Sequence, residues 1–203
     1  MKLVLQEFIS LDGVTQGPGS PDEDRSDGFD RGGWFVPFLD ERFLDRVKDW
    51  VGFADAFLFG HRTYDAFAQA WPAMNDPADP VATALNGLPK YVAAQSPVAA
   101  NWGPVNVVTG DVLAQVAALK ARPGRELQVH GSTTLARSLL SAGLFDELRL
   151  VVTPVVIGKG RKLFLDDMPE RNFATADASV TPSGLTVLVL RAAGAVAHGT
   201  YGT

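Results

Sequence analysis

Four short motifs hold the residues of this chain best suited to chemistry. Gly131-Ser132-Thr133-Thr134 follows an apolar run at 127–129 and precedes Leu135, Leu139 and Leu140, which fall at helical spacing until Gly143 ends the pattern. A helix that opens at the carboxyl end of a strand offers free backbone N–H groups and the positive end of its dipole, an arrangement suited to a phosphate. The same hydroxyls would equally serve as plain helix caps. Gly60-His61-Arg62-Thr63 stands in a matching position after the buried run 56–59, where α/β sheets place ligands. Gly158-Lys159-Gly160-Arg161-Lys162 is a basic turn without the spacing of a Walker A loop, and a solvated hairpin turn would look the same.

The fourth motif, Ser10-Leu11-Asp12-Gly13, sits at the mouth of the first strand. Its Asp12 can orient a ligand or bond its own backbone in an Asp-Gly turn. Asp40 is in register with the apolar stripe Phe43, Leu44, Val47 and Val51, so it can face a pocket or cap the helix it begins. Glu41 and Asp45 share a more solvated face with Arg42, Arg46 and Lys48. His130, at a strand tip, reads as a cofactor neighbour or as a structural residue. The three histidines show no metal-ligand spacing, and no Gly-x-Ser-x-Gly elbow is present.

Composition narrows the classes. At 203 residues the chain fits one domain with a sizeable core. A net charge of −5 leaves no basic excess for nucleic acid. The absence of cysteine excludes disulfides, thiolate metal sites and cysteine nucleophiles. No apolar run reaches membrane-spanning length, and the polar turn soon after the first residues is unlike a signal peptide, so a cytoplasmic protein is expected.

The elements that must position these motifs alternate along the chain. Strands are expected at 2–9, 56–59, 90–94, 105–108 and 127–129, and helices at 39–51, 61–70 and from an Asp111 cap through Leu119. Residues 15–33 form a Gly/Pro/Asp-rich loop with five acids against two arginines, expected to be solvated and mobile and to act as a lid. Residues 72–88 look irregular. Residues 146–157 read as two strand runs broken at Pro154, and 179–193 as an alternating tail with a turn at Pro182-Ser183-Gly184. Such an order predicts an α/β fold with a mostly parallel central sheet and antiparallel C-terminal strands.

The run 127–164 resembles the reductase domain of riboflavin biosynthesis (the RibD C-terminal-like domain), within the dihydrofolate-reductase-like superfamily. The likeness rests on Gly131-Ser132 with Leu135, LLSAGLFDELRL (139–150), PVVIG (154–158), and Gly160 with Leu163-Phe164. Upstream, Ser10-Leu11-Asp12-Gly13 and LFGHRTYD (58–65) agree in the same order. The resemblance implies a single three-layer domain over 1–203 and a reductase that uses NADPH to deliver hydride to a small heterocycle, either a phosphoribosylamino-pyrimidine or a pterin. It implies that residues 60–63 and 131–134 cradle the cofactor phosphates, and that Asp12 and Asp40 line the reacting end. Trp34 and the 15–33 loop would close over the substrate, which the turn at Gly158 and Gly160 approaches. It also implies a homodimer. Relatives face the adenosine 2′-phosphate with an arginine at the slot held here by His61, with Arg62 beside it. They often place serines near that phosphate where this chain has Ala93-Ala94. The alternative is a non-catalytic nucleotide- or ligand-binding module that kept the fold.

Overall fold

The computed structural model describes residues 1–99 and 101–202. Among the described residues, eight strands form one sheet: β1 (Lys2–Ser10), β2 (Ala54–Gly60), β3 (Lys90–Ala93), β4 (Val105–Val108), β5 (Glu126–His130), β6 (Glu147–Thr153), β7 (Phe173–Val180) and β8 (Thr186–Ala192). Five helices join them: α1 (Glu41–Val51), α2 (His61–Ala70), α3 (Pro80–Gly87), α4 (Val112–Lys120) and α5 (Thr133–Ser141). The strand order is β4-β3-β2-β5-β1-β6-β8-β7. β1 through β6 run parallel, and β8 and β7 add antiparallel at one side. This is the three-layer α/β arrangement of the dihydrofolate-reductase-like fold.

Alternation along β1 divides the core in two. Leu3, Leu5 and Ile9 join Leu127, Val129, Leu148 and Leu150 in a cluster closed by Val116 and Leu119 of α4 and Leu139 and Leu140 of α5. On the opposite face, Phe8 stacks on Phe35 at 4.1 Å and meets Phe43 of α1 edge-on. The faces follow from handedness. β1 crosses to β2 in one direction along the sheet and β5 crosses to β6 in the other, so right-handed connections send α1 and α5 to opposite faces. The neighbours β1 and β5 therefore flank a crevice at their carboxyl ends, the switch point where open α/β sheets bind ligands.

Two expectations need correction. Residues 72–88 contain the helix α3, started by Asp79, whose carboxylate accepts from the Val81 and Ala82 amides, with Pro80 in the first turn. The run 155–157 is not a strand: β1 ends opposite Thr153 and β8 begins opposite Val152, and beyond them the run keeps isolated bonds, among them the Leu11 N–H to the Val155 carbonyl and the Ile157 N–H to Asp12. Among the described residues, no helix is long and apolar enough to cross a membrane.

Leu139 lies fully buried where α5 meets the sheet. Leu139→Ala should cost about 2–5 kcal/mol, read as a lowered midpoint in urea with an unchanged slope.

Candidate active site

The helix starts divide into two kinds. Asp40, Asp79 and Asp111 cap α1, α3 and α4 through side-chain oxygens. Neither α2 nor α5 has a side-chain cap. These two begin at Gly60 and Ser132, directly beyond the adjacent strands β2 and β5. Ser132 adopts the left-handed conformation, at φ 60°, and its hydroxyl turns away from its own helix. It accepts the Gly60 N–H at 2.9 Å and donates to the His130 carbonyl at 3.2 Å. One side chain thus ties the two turns together and leaves both helix starts without a side-chain cap, their amides and dipoles able to favour an anion.

The remaining residues of these turns gather around that tie. A Cβ placed on Gly131 would stand 3.8 Å from Thr63 Cγ2 and 4.0 Å from Glu7 Oε1. The Thr133 hydroxyl is shared with that of Thr15 at 2.8 Å, while Thr134 is exposed at the helix start. His61 spans Asp65 at 3.5 Å and Ser96 at 3.3 Å. Arg62 is exposed and, among the described residues, makes no ion pair.

Asp12 sits beside the crevice as a clasp. One carboxylate oxygen accepts from the Ser10 hydroxyl and the Ile157 amide, the other from the Gly158 amide at 2.7 Å. Desolvation opposes ionisation here, but the hydrogen bonds from Ile157, Ser10 and Gly158 outweigh it and hold the pKa down to about 2. Asp12 is therefore a carboxylate at neutral pH that fixes the 155–158 segment against the end of β1. Asp40 is a cap rather than a pocket acid. It accepts from the Phe43 amide and from the amide and hydroxyl of Ser183 in the β7–β8 turn, bonds that hold its carboxyl well below the usual range.

The 15–33 loop is cross-linked rather than freely solvated, and the basic turn is what holds it. Arg161 bonds Asp24, Ser26 and Asp27 through its guanidinium, Lys159 bonds the Gly28 carbonyl, and Arg31 reaches back to the Ile157 carbonyl. Gly160, at φ 119°, lets Phe29 of the loop lie so close that a Cβ would stand 2.8 Å from its ring. Gly158 is taken up by Asp12, and the Trp34 indole donates to the Gln16 carbonyl inside the loop. The residues expected to touch substrate thus secure the cover over the crevice.

His130 belongs to the opposite face. It packs edge-on to Phe57 at 5.2 Å and bonds Gln128, which is linked to Gln6, Glu126 and the Trp50 carbonyl. Burial, with Arg149 nearby, pushes its pKa down to about 3, so it is neutral. Two hollows, of about 270 and 540 Å³, lie at the amino edge around Gly143 and Arg125, away from every motif discussed. No group of histidines and acids that could hold a metal occurs among the described residues.

The sequence reading passed over Glu7. It occupies the Leu3, Leu5, Ile9 face of β1, is 3% exposed, and has one oxygen, Oε2, without a partner. Period-2 spacing in KLVLQEFI was the signal that could have found it.

Comparison with known proteins matches residues 1–188 to the RibD C-terminal domain. The chain belongs to the RibD C-terminal domain family. It is 24% identical over 190 residues to the uncharacterized protein YyaP of Bacillus subtilis (strain 168), covering 93% of each chain. Among solved structures it is similar to RibD of Acinetobacter baumannii, at a TM-score of 0.64 and 18% identity, covering 95% of this chain and 58% of that one. It is also similar to dihydrofolate reductase of Enterococcus faecalis, at a TM-score of 0.56 and 12% identity, covering 94% and 96%. The paired bare helix starts make a candidate anion site. They offer backbone donors, the Thr133 and Thr134 hydroxyls, and a glycine without a side chain to obstruct approach.

Two tests follow from the clasp and the cover. Folding lowers the Asp12 pKa from about 3.9 in a free chain to about 2. Its stabilising contribution is therefore complete at neutral pH and lost as pH falls from about 4 to about 2. Asp12→Asn should lower the thermal midpoint at pH 7 through a loss of about 2 kcal/mol, and the gap to wild type should close in acid. Arg161→Ala should free the loop, so that tryptic cleavage after Arg25 and Arg31 speeds up about tenfold, equivalent to about 1.4 kcal/mol. An unchanged rate would show that the ion pairs do not hold it.

Proposed function

We propose that this protein is an NADPH-dependent reductase that acts on a small heterocycle, a phosphoribosylamino-pyrimidine or a pterin. The observation that carries the reading is the pair of uncapped helix starts tied by Ser132 at the carboxyl ends of the adjacent strands β2 and β5. Family membership supports it, and the Enterococcus faecalis reductase, a relative in fold, is known as a complex with NADP(H). A bound reduced nicotinamide supplies the hydride; the protein holds it, covers it and excludes water.

In this reading residues 60–63 and 131–134 hold the phosphates. Arg62, exposed on the first turn of α2 and free of ion pairs among the described residues, takes the 2′-phosphate, for which a permanent guanidinium is better suited than His61. Asp12 positions the 155–158 segment, and Trp34 with the 15–33 loop closes over the substrate. A homodimer in the cytoplasm, with no nucleic acid or membrane partner, completes the proposal.

One observation favours the alternative of a binding module without turnover. Asp12 and Asp40, the acids expected at the reacting end, are both held as carboxylates by structural hydrogen bonds. Catalysis then requires another proton source.

Calorimetric titration with NADPH and NADH separately tests the cofactor assignment. We expect NADPH to bind at least tenfold more tightly, about 1.4 kcal/mol, and Arg62→Ala to erase most of the difference. Binding of neither nucleotide would contradict the dinucleotide site.

A further inference from the structure

We infer that Glu7 is the proton donor of this site, delivering the proton that hydride transfer to a C=N or C=O bond requires. The inference rests on the reductase reading and assigns the chemistry that Asp12 and Asp40 are not free to perform. Glu7 interrupts an otherwise apolar row. Leu3, Leu5 and Ile9 on the same face of β1 pack into the core beneath α4 and α5, and an aliphatic side chain would continue that row. A carboxyl stands there instead, buried to the same degree, with Oε2 unpartnered and no salt bridge. A buried polar atom left without a protein partner is costly to a fold, which makes Glu7 Oε2 a candidate to meet a ligand at the adjacent Gly131 turn.

The surroundings favour the protonated form of this carboxyl. Burial is the main cause that raises its pKa well above the usual range. The like charge of Glu23 on the loop adds to it, and the Phe8 amide opposes it weakly. No cation relieves it. β5 and α2 present Gly131 and Thr63 on this side, and β6 places Leu150 opposite Glu7. The charged or titratable groups His130, Arg149, Glu126 and Glu147 lie in the network on the other face of the sheet. The position also suits the task. Glu7 Oε1 lies 4.0 Å from the point a Cβ on Gly131 would occupy, at the turn whose amides face the phosphate site. A neutral acid can stand beside a bound anion where a carboxylate would repel it.

The balance is simple. A dihydronicotinamide, when bound, would supply two electrons and one proton as hydride to the carbon of the C=N or C=O bond. Glu7 supplies the second proton from its carboxyl to the nitrogen or oxygen of the same bond. Glu7 is left as carboxylate and regains a proton from water when the 15–33 loop opens.

Glu7→Gln keeps the shape and removes the acidic proton. Infrared difference spectra of the ligand-free protein, taken across pH, should show a protonated-carboxyl band in wild type at pH 7 that Glu7→Gln lacks. NADPH affinity by calorimetry should stay within about threefold, while turnover of 7,8-dihydrofolate or of 5-amino-6-(5-phosphoribosylamino)uracil falls at least about a hundredfold. The wild-type decline in rate at high pH should vanish from the residual activity. Glu7→Leu should complete the apolar row, raising the thermal midpoint while abolishing turnover, an outcome that a merely structural carboxyl would not give. Absence of the infrared band, or full turnover by Glu7→Gln, would overturn the assignment while leaving the reductase reading intact. A wild type that binds no NADPH and reduces neither substrate would remove the reductase reading and the donor role together, whatever the infrared band shows.

Discussion

The carboxyl edge of this protein depends on one strained residue. Ser132 is held in the left-handed region, which costs a non-glycine residue of order 1–2 kcal/mol, and what it gains is a hydroxyl aimed at a neighbouring strand rather than at its own helix. A capping serine in the usual conformation would satisfy the α5 amides and close them to a ligand. Turned as it is, Ser132 joins β2 to β5 and leaves two helix starts open side by side. The strain is local and the arrangement it maintains is the candidate phosphate cradle, the association that strained backbone at functional sites leads one to expect.

A second constraint is electrostatic and long in range along the chain. The acidic 15–33 loop and the basic turn after β6 each look like a solvated surface segment when taken alone. Folded, they neutralise each other, with Arg161 at the centre and Gly160 allowing Phe29 to settle against Val14. The partly buried position of Arg161 makes these pairs less open to screening than exposed ones. The cover is anchored as well as paired, since Phe29 and the adjoining Trp34 are buried in one cluster with Val14 and Phe35.

Much of the architecture was legible because it is written in local signals. Apolar runs leading to glycine turns marked β2 and β5, Gly143 marked the end of α5, and Asp111 announced α4 as a cap. The strand order was expected only as a class, mostly parallel with antiparallel strands at the end, and the structure has that form. The site was harder to read. Asp12 has the look of a ligand-facing acid until Ile157 and Gly158 arrive from 145 and 146 residues away. Asp40 offered two readings, and Ser183, 143 residues on, completes the cap. The run 155–157 has strand-like residues but no ladder, since β1 and β8 stop short of it, which no local pattern reveals. Glu7 was hidden by its company, since a single acid within KLVLQEFI looks like an outward-facing position until the register shows that its row is buried.

The central claim is that the two bare helix starts form a dinucleotide cradle. Backbone amide shifts on titration with NADPH test it most directly. The account predicts that the amides of residues 61–63 and 131–135 move together and saturate with a single affinity. If those amides stay still while residues around Gly143 or Arg125 at the amino edge respond, the cradle is not the binding site and the account is wrong.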